Sequence, residues 1–481
     1  MSETRVESLQ RSKGEETHRL LPLMIVLLTG AFVTILNQTL LVTALPHIMA
    51  DLHLKANIAQ WLTSIYMLVN GVMIPVTAFL IERFTTRQLS LSAMGLFAGG
   101  AFICAMAPNF PVLLLGRVIQ ASGAGILMPL MQTILFLLFP AHKRGTAMGI
   151  FGLIIGFAPA IGPTLSGWFV EHFPWRGLFY LIFPIAMLDL LIACFILKNV
   201  TEQTHPKADM WSIVLSTVGF GGLLYGVSIA GTHGWMSAEV LASVVIGGLA
   251  LLWFMFRQFK LEQPILDFHV FRYPVFSLTT ALGVCVFMGM MGAVTVLPLL
   301  TQNILGFSAL ESGLMMLPGA IVMGVMSPIT GRIFDRFGAK WLTIVGLSIV
   351  TVTTFFFSRL TAHVSLGYLA AMNAVRMLGI SLVLMPSTTA GLNQLPRRLI
   401  PHGTAMNNTV RQVAGSIGTA LLVTIMTRYA IPNAGVDGLV HGVNVSFFVV
   451  DVLALGGLVL SFFMKPVQPT EKAIPEPVNS R

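Results

Sequence analysis

Long apolar runs separated by short polar segments fill the chain from residue 20 to residue 464. A helix needs about 20 mostly apolar residues to cross a bilayer. Fourteen runs approach or exceed that length: 22–46, 58–81, 89–107, 112–138, 146–170, 178–197, 211–230, 238–256, 275–299, 312–334, 341–357, 366–392, 403–426 and 443–464. Runs seven and eight are each long enough to cross separately, which argues against one re-entrant unit. The first run is longer than the roughly 7–15 residues of a signal-peptide core and is expected to stay in the mature protein. Residues 1–19 and 465–481 are polar and read as tails.

Composition settles the solvent. Of the 481 residues, 55% are hydrophobic and 10% charged, and mean hydropathy is +0.84. Soluble domains carry about 25% charged residues, so a water-soluble fold is excluded and an all-α integral membrane protein is expected. Cys104, Cys194 and Cys285 lie in separate apolar runs, without metal or disulfide spacing, and read as packing residues.

An even number of crossings puts both termini on one side. If that side is the cytoplasm, 21 of the 28 Lys and Arg residues lie in inner segments. Only Lys55, Arg176, Arg359 and Arg428 lie outside, and Arg117, Arg376 and Arg411 lie within runs. Such a bias is the positive-inside signature. The net charge of +9 is thereby a topology signal and implies no nucleic-acid partner.

The chain also repeats itself. The segment Gly331-Arg-Ile-Phe-Asp335-Arg336-Phe-Gly338-Ala-Lys340 ends run ten, and an eroded copy from Ala78 through Glu82 and Arg83 to Arg87 ends run two, 253 residues earlier. Arg117 and Arg376 are 259 apart, Asp189 and Asp451 262 apart. Drifting offsets fit two six-helix halves, 20–198 and 274–464, with two inserted helices in 199–273. Transporters are commonly built this way, with the substrate site between the halves near mid-membrane.

Four stretches carry a family resemblance: the Gly-x-x-x-Asp-Arg-x-Gly loop at 331–338; Arg117-x-x-Gln120-x-x-Gly123-x-Gly125 with Pro129; Pro159-x-x-Gly162-Pro163-x-x-x-Gly167; and 35–46, around Asn37. Together they resemble the major facilitator superfamily, in its fourteen-helix drug:proton antiporter branch (EmrB/QacA type). The last stretch resembles lincomycin-resistance and related multidrug exporters of Gram-positive bacteria. The first loop departs from the pattern, with Glu82 for Asp and Ala78 and Thr85 for Gly, and Ser166 replaces a Gly. Many relatives carry Asp where Asn37 stands, and a neutral amide cannot carry a proton in that role, so coupling must use other groups.

The resemblance implies a plasma-membrane exporter of small lipophilic or cationic drug-like compounds. It would be monomeric, with both termini cytoplasmic, driven by the proton gradient and without cofactor or metal. A periplasmic adaptor would be needed only in a Gram-negative host. The alternative cargo is an endogenous metabolite, lipid or signalling molecule. Ionisable residues within spans are costly and usually functional, which makes Asp189, Asp451 and Arg117 the proton-coupling candidates. A structural pairing of each with a buried partner is the competing reading. Asn37, Gln38, Tyr66, Gln120, Met128, Gln132, Met288, Met291, Met315, Asn373, Asn408, Arg411 and Gln412 are candidates for the cavity lining. Any single Met is as readily a packing residue. The resemblance gives gating roles to Glu82, Arg83, Gly331, Asp335, Arg336 and Gly338, as a latch of the outward-closed state, and to Pro159, Gly162 and Pro163, as a hinge and seal. His47 is a lone interfacial histidine. No phosphate-binding loop, nucleophile elbow, zinc motif or channel filter is visible, so neither an enzyme nor a channel is expected.

Overall fold

In hydrocarbon every backbone amide must be satisfied within its own segment, and apolar runs of this length do so as helices. A computed structural model describes residues 3–197, 199–200, 203–204, 209–431 and 434–464. For residues 3–21 and a few scattered positions, Pro163 among them, it describes the backbone alone. The expected tail at 465–481 lies outside the described residues.

Among these residues are fourteen helices of at least 19 residues: α1 (Glu3–Asp51), α2 (Trp61–Arg83), α3 (Thr86–Ala105), α4 (Phe110–Leu138), α5 (Arg144–His172), α6 (Arg176–Ile196), α7 (Met210–His233), α8 (Ala238–Lys260), α9 (Pro274–Pro298), α10 (Ala309–Phe337), α11 (Ala339–Phe357), α12 (Leu366–Asn393), α13 (Ile400–Arg428) and α14 (Gly435–Phe462). Thirteen contain stretches long and apolar enough to cross a membrane. The other, α5, has 29 residues and takes the place of the remaining expected run. The helix starts use ordinary chemistry. Thr85 with Gln88 and Ser308 with Glu311 form capping boxes, and the Asn109 side chain accepts from the Val112 amide, each satisfying an orphan donor. The polar N-terminal segment is helical where described: α1 begins at Glu3. Its Glu, Arg, Leu, Gln and Lys residues are good helix formers, and no proline interrupts them before Pro22.

Within the first half α4 packs on α2 and α3, α5 on α1, and α6 on α3; within the second α12 packs on α10 and α11, α13 on α9, and α14 on α11. The halves meet chiefly where α5 lies against α10, and also where α2 and α4 approach α13. Helices α7 and α8 form a hairpin outside the two halves, with α7 leaning on both α2 and α13. A Cβ on Gly222 of α7 would come within 3.0 Å of Gly247 on α8, so small residues set that close crossing. Exposed apolar side chains such as Leu188, Phe195, Leu249, Trp253 and Val459 form the outward surface. The chain is a multi-pass membrane protein whose outer face suits hydrocarbon.

One end of the bundle, here the basic end, carries the α2–α3, α4–α5, α10–α11 and α12–α13 connections, with Arg83, Arg87, Lys143, Arg336, Lys340, Arg397 and Arg398. At the opposite end Arg176 ties α1 to α3 and α6. It reaches Asp51 at 2.6 Å and the Ala107 carbonyl through Nε at 3.1 Å and Nη2 at 3.0 Å. Hydrogen bonds from Arg176 and then Trp175 hold the Asp51 carboxyl below the usual carboxylate range. A carboxyl whose pKa is lower folded than unfolded stabilises the fold above its unfolded pKa and loses that contribution as pH falls through the folded value. Asp51 is half exposed, so the contribution is about 1 kcal/mol or less. Melting in detergent between pH 7 and pH 3 should therefore fall more steeply for the parent than for Asp51→Asn. Parallel curves would contradict this.

Candidate transport site and gate

The loop motif acts across the two halves. Asp335 stands near the end of α10, and its carboxylate accepts from the Gly145 and Thr146 amides, both at 2.8 Å, and from the Thr146 hydroxyl at 2.6 Å. Those amides are among the unpaired donors that open α5. An acceptor carrying negative charge is favourable at that helix end. Three more bridges lie nearby: Arg144 Nη1 donates to Asn393 Oδ1 at 2.9 Å, His402 Nε2 and Glu82 Oε1 are 2.9 Å apart, and Asn408 Nδ2 donates to Gln132 Oε1 at 2.6 Å. Among the described residues, every side-chain hydrogen bond between the halves lies at the basic end or within about two turns of it. Gly338 has φ +77°, a conformation that favours glycine, at the turn into α11. Arg336 is exposed with its guanidinium over Phe337, and Arg83 lies beside Phe79. Among the described residues Asp335 forms no ion pair with the neighbouring Arg332 or Arg336; the opening residues of α5 engage both of its carboxylate oxygens. The latch holds the basic end shut.

Above the latch, glycines let α5 and α10 touch backbone to backbone. A Cβ on Gly145 would meet Gly331 O at 2.6 Å, on Gly149 would meet Ser327 O at 2.5 Å, and on Gly156 would meet the Gly324 amide at 3.0 Å. On Gly152 it would meet Met385 of α12 at 2.7 Å. The expected hinge residues sit elsewhere. Gly162 packs on Thr39 of α1 within the first half, Pro159 is half-buried in an unbroken α5, and the Pro163 side chain lies outside the described residues. Gly145, Gly149 and Gly152 carry no motif of their own, although their three- and four-residue spacing marks one helix face.

Buried polar side chains form three clusters. In the first half Arg117 is fully buried, with its guanidinium 4.2 Å from the centre of the Tyr66 ring. It donates to Leu62 O at 3.2 Å and to Gln120 Oε1 at 2.9 Å. The Tyr66 hydroxyl donates to Thr34 O at 3.2 Å, and Asn37 is buried beside it. In the second half Arg376 donates to Gly289 O at 2.8 Å, one turn from the buried Asn373. On α13, Arg411 donates to Leu384 O and to Thr388 Oγ1 at 3.1 and 2.6 Å. Among the described residues no carboxylate pairs with any of the three arginines. Several of their nitrogens, Arg117 Nη2 and Arg376 Nε and Nη1 among them, have no protein partner.

The candidate carboxylates lie inside single halves. Asp189 points into a small apolar pocket lined by Gly30, Val33, Met94, Phe97, Leu127 and Ala186, which come from α1, α3, α4 and α6. Asp451 is half-buried on α14, with its Oδ1 unpartnered. Of the proposed cavity residues, Gln132, Asn408 and Gln412 reach the boundary between halves, the last lying against Gly71 of α2. Met288 and Met291 pack on Gly418 and Gly415 of α13, and Met315 is in the second half's core. Gln38 and Met128 are half-buried on α1 and α4.

This architecture of paired bundles, an inter-bundle latch and buried arginines agrees with the comparisons. Residues 27–419 match the Major Facilitator Superfamily model. The chain is a member of the major facilitator superfamily. Its membership places it among membrane transporters. It is 56% identical to the Bacillus subtilis protein named Uncharacterized MFS-type transporter YcnB, over 93% of this chain and 96% of that one. It is 42% identical to the lincomycin resistance protein LmrB of the same organism, over 95% and 98%. It is 29% identical to the multidrug export protein EmrB of Haemophilus influenzae, over 84% and 79%. The crystal structure of the human organic anion transporter MFSD10 shares the fold, with a TM-score of 0.65 at 14% identity, covering 92% of this chain and 99% of that one.

The glycine seam gives a direct test of packing. Gly149→Val should lower stability by about 1–3 kcal/mol through overpacking. Gly167→Ala, where a Cβ meets nothing within 4 Å, should be neutral or stabilising by up to about 1 kcal/mol. Thermal melting of both variants in detergent checks this, and equal melting points would contradict the seam.

Proposed function

We propose that this transporter exports small lipophilic or cationic drug-like compounds in exchange for protons, by alternating opening of the two faces. The observation that carries the reading is the closure of the basic end. The halves are hydrogen-bonded at the basic end, by contacts that a rocking motion can break without unfolding either half. In the proposed cycle the polar bridge between Gln132 and Asn408 closes the path toward the basic end. The relatives named for lincomycin resistance and multidrug export support drug-like cargo. In this reading all fourteen helices cross the membrane, both termini are cytoplasmic, and the closed end faces the cytoplasm, in keeping with the positive charge gathered there.

Coupling is assigned to Asp189 and Asp451, the carboxylates placed within spans at matching positions of the two halves. Arg117 serves as a fixed buried cation. Asn37 cannot exchange a proton. One proton entering through about 150 mV releases about 3.5 kcal/mol. At about 1.4 kcal/mol per tenfold step, that sustains a neutral solute gradient of a few hundredfold, so one carboxylate per cycle suffices. Buried arginines and amides supply fixed donors, and half-buried methionines supply adaptable apolar contact.

Reconstitution into liposomes with an imposed pH gradient tests the assignment. Asp189→Asn or Asp451→Asn should abolish gradient-driven transport while counterflow without a gradient persists. Normal gradient-driven transport in both single variants and in the double variant would remove the coupling assignment. Transport absent across a broad panel of drug-like compounds, but present for an endogenous metabolite or lipid, would favour the second cargo.

A further inference from the structure

The inserted hairpin is wired to the gate. Its leading linker belongs to the first half: Asn199 Oδ1 accepts from the Arg87 amide at 3.4 Å, Val200 N donates to Thr86 Oγ1 at 3.2 Å, and Thr204 N donates to Glu82 O at 3.1 Å. Its trailing strap, residues 261–273, belongs to the second. Ile265, Leu266 and Val270 are buried to 1% exposure or less. Gln258 of α8 holds the strap by accepting from the Ile265 and Leu266 amides at 2.7 and 3.3 Å. Its amide nitrogen donates to Ser212 of α7 at 2.6 Å. Ser212 in turn donates to Asp209, which is paired with Arg257 at 2.7 Å. One polar chain therefore runs from the base of both inserted helices into the strap.

Midway along, the strap meets His402. The Asp267 amide donates to His402 Nδ1 at 3.3 Å. Two N–H groups cannot face each other, so Nδ1 carries no hydrogen, and the ring hydrogen sits on Nε2. That nitrogen is 2.9 Å from Glu82 Oε1 and donates to it. His402 is only 4% exposed. The Asp267 carboxylate is engaged by His269 instead, at 2.6 Å, so the backbone amide alone sets the imidazole. The two linkers of the hairpin thus converge on one contact, at which α2 of the first half meets α13 of the second.

We propose that His402 is a positioning residue through which the inserted hairpin biases opening of the basic end: the strap fixes the tautomer that lets His402 latch Glu82. The inference rests on the rocking motion proposed above. In this scheme the hairpin is a transmission element that keeps the latch formed while its strap is seated, and moving the strap weakens a bond between the halves that the hairpin itself does not make.

Two substitutions at this position separate its two bonds. In His402→Gln the side-chain amide replaces Nε2 and keeps Glu82, whereas in His402→Asn it replaces Nδ1 and keeps Asp267. Spin labels at the exposed positions 84 and 398, as Phe84→Cys and Arg398→Cys with the three native cysteines replaced by Ser, report the span of the basic end. The protein in lipid nanodiscs should show a short and a long distance. His402→Asn should raise the long:short ratio about tenfold, the factor for one buried hydrogen bond lost. His402→Gln should raise it too, because the strap no longer orients the donor. Asp267→Pro removes the amide donor without touching the imidazole; its φ of −82° lies near the value proline imposes. It should act like His402→Gln, whereas Asp267→Ala, which keeps the amide, should act less. Unchanged ratios in His402→Asn would overturn the latch. Unchanged ratios in both His402→Gln and Asp267→Pro would overturn the role of the strap. A single distance in the parent protein at every pH and with every compound tested would remove the rocking motion itself.

Discussion

A carboxylate of one half caps a helix of the other, and the closed arrangement depends on that contact. Asp335 spends both oxygens on the first amides of α5, groups that no partner inside α5 can satisfy. The bond is charge-assisted and lies along the helix axis, where the dipole favours it. It also positions the glycine faces, since the residues capped by Asp335 begin the row in which Gly145, Gly149 and Gly156 meet Gly331, Ser327 and Gly324. In lipid, where no hydrophobic force drives helix against helix, close backbone packing and a few polar bonds must supply the association. The seam glycines also seat side chains from the opposite half, Phe334 on Gly145 and Phe157 on Gly324.

Placing polar groups inside a bilayer protein is costly, and this chain confines them to a few positions. Three arginines are buried against carbonyls, hydroxyls and amides, without a paired carboxylate among the described residues. The carboxylates are kept apart from them, Asp189 in an apolar pocket of the first half and Asp451 on α14. Separation of the two signs leaves the carboxyls free to change protonation state without breaking an ion pair. It also leaves several guanidinium nitrogens of the arginines without a protein partner.

Much of this was legible in the sequence. Run lengths placed the helices, because hydrocarbon allows few alternatives, and the repeat of the loop motif and of Arg117 in Arg376 exposed the two halves. The partners of those residues were not legible. Asp335 stands beside Arg332 and Arg336 in the sequence, but it binds a helix start 190 residues away, whose first amides have no partner inside their own helix. The prolines of α5 drew attention to Gly162, which packs inside its own half, while the face that meets α10 lies a few turns earlier. His402 carried no motif at all; its importance comes from three segments converging in space. The polar N-terminal stretch lacked apolar periodicity, yet helix-forming residues continue α1 through it.

The proposed transport cycle requires the basic end to open. Positions 143 and 336 are exposed on opposite halves beside the Asp335 cap. A Lys143→Cys and Arg336→Cys pair, bridged by a short cleavable bis-maleimide in reconstituted protein, should stop export and recover it when the bridge is cut. Undiminished export by fully bridged protein would contradict the account.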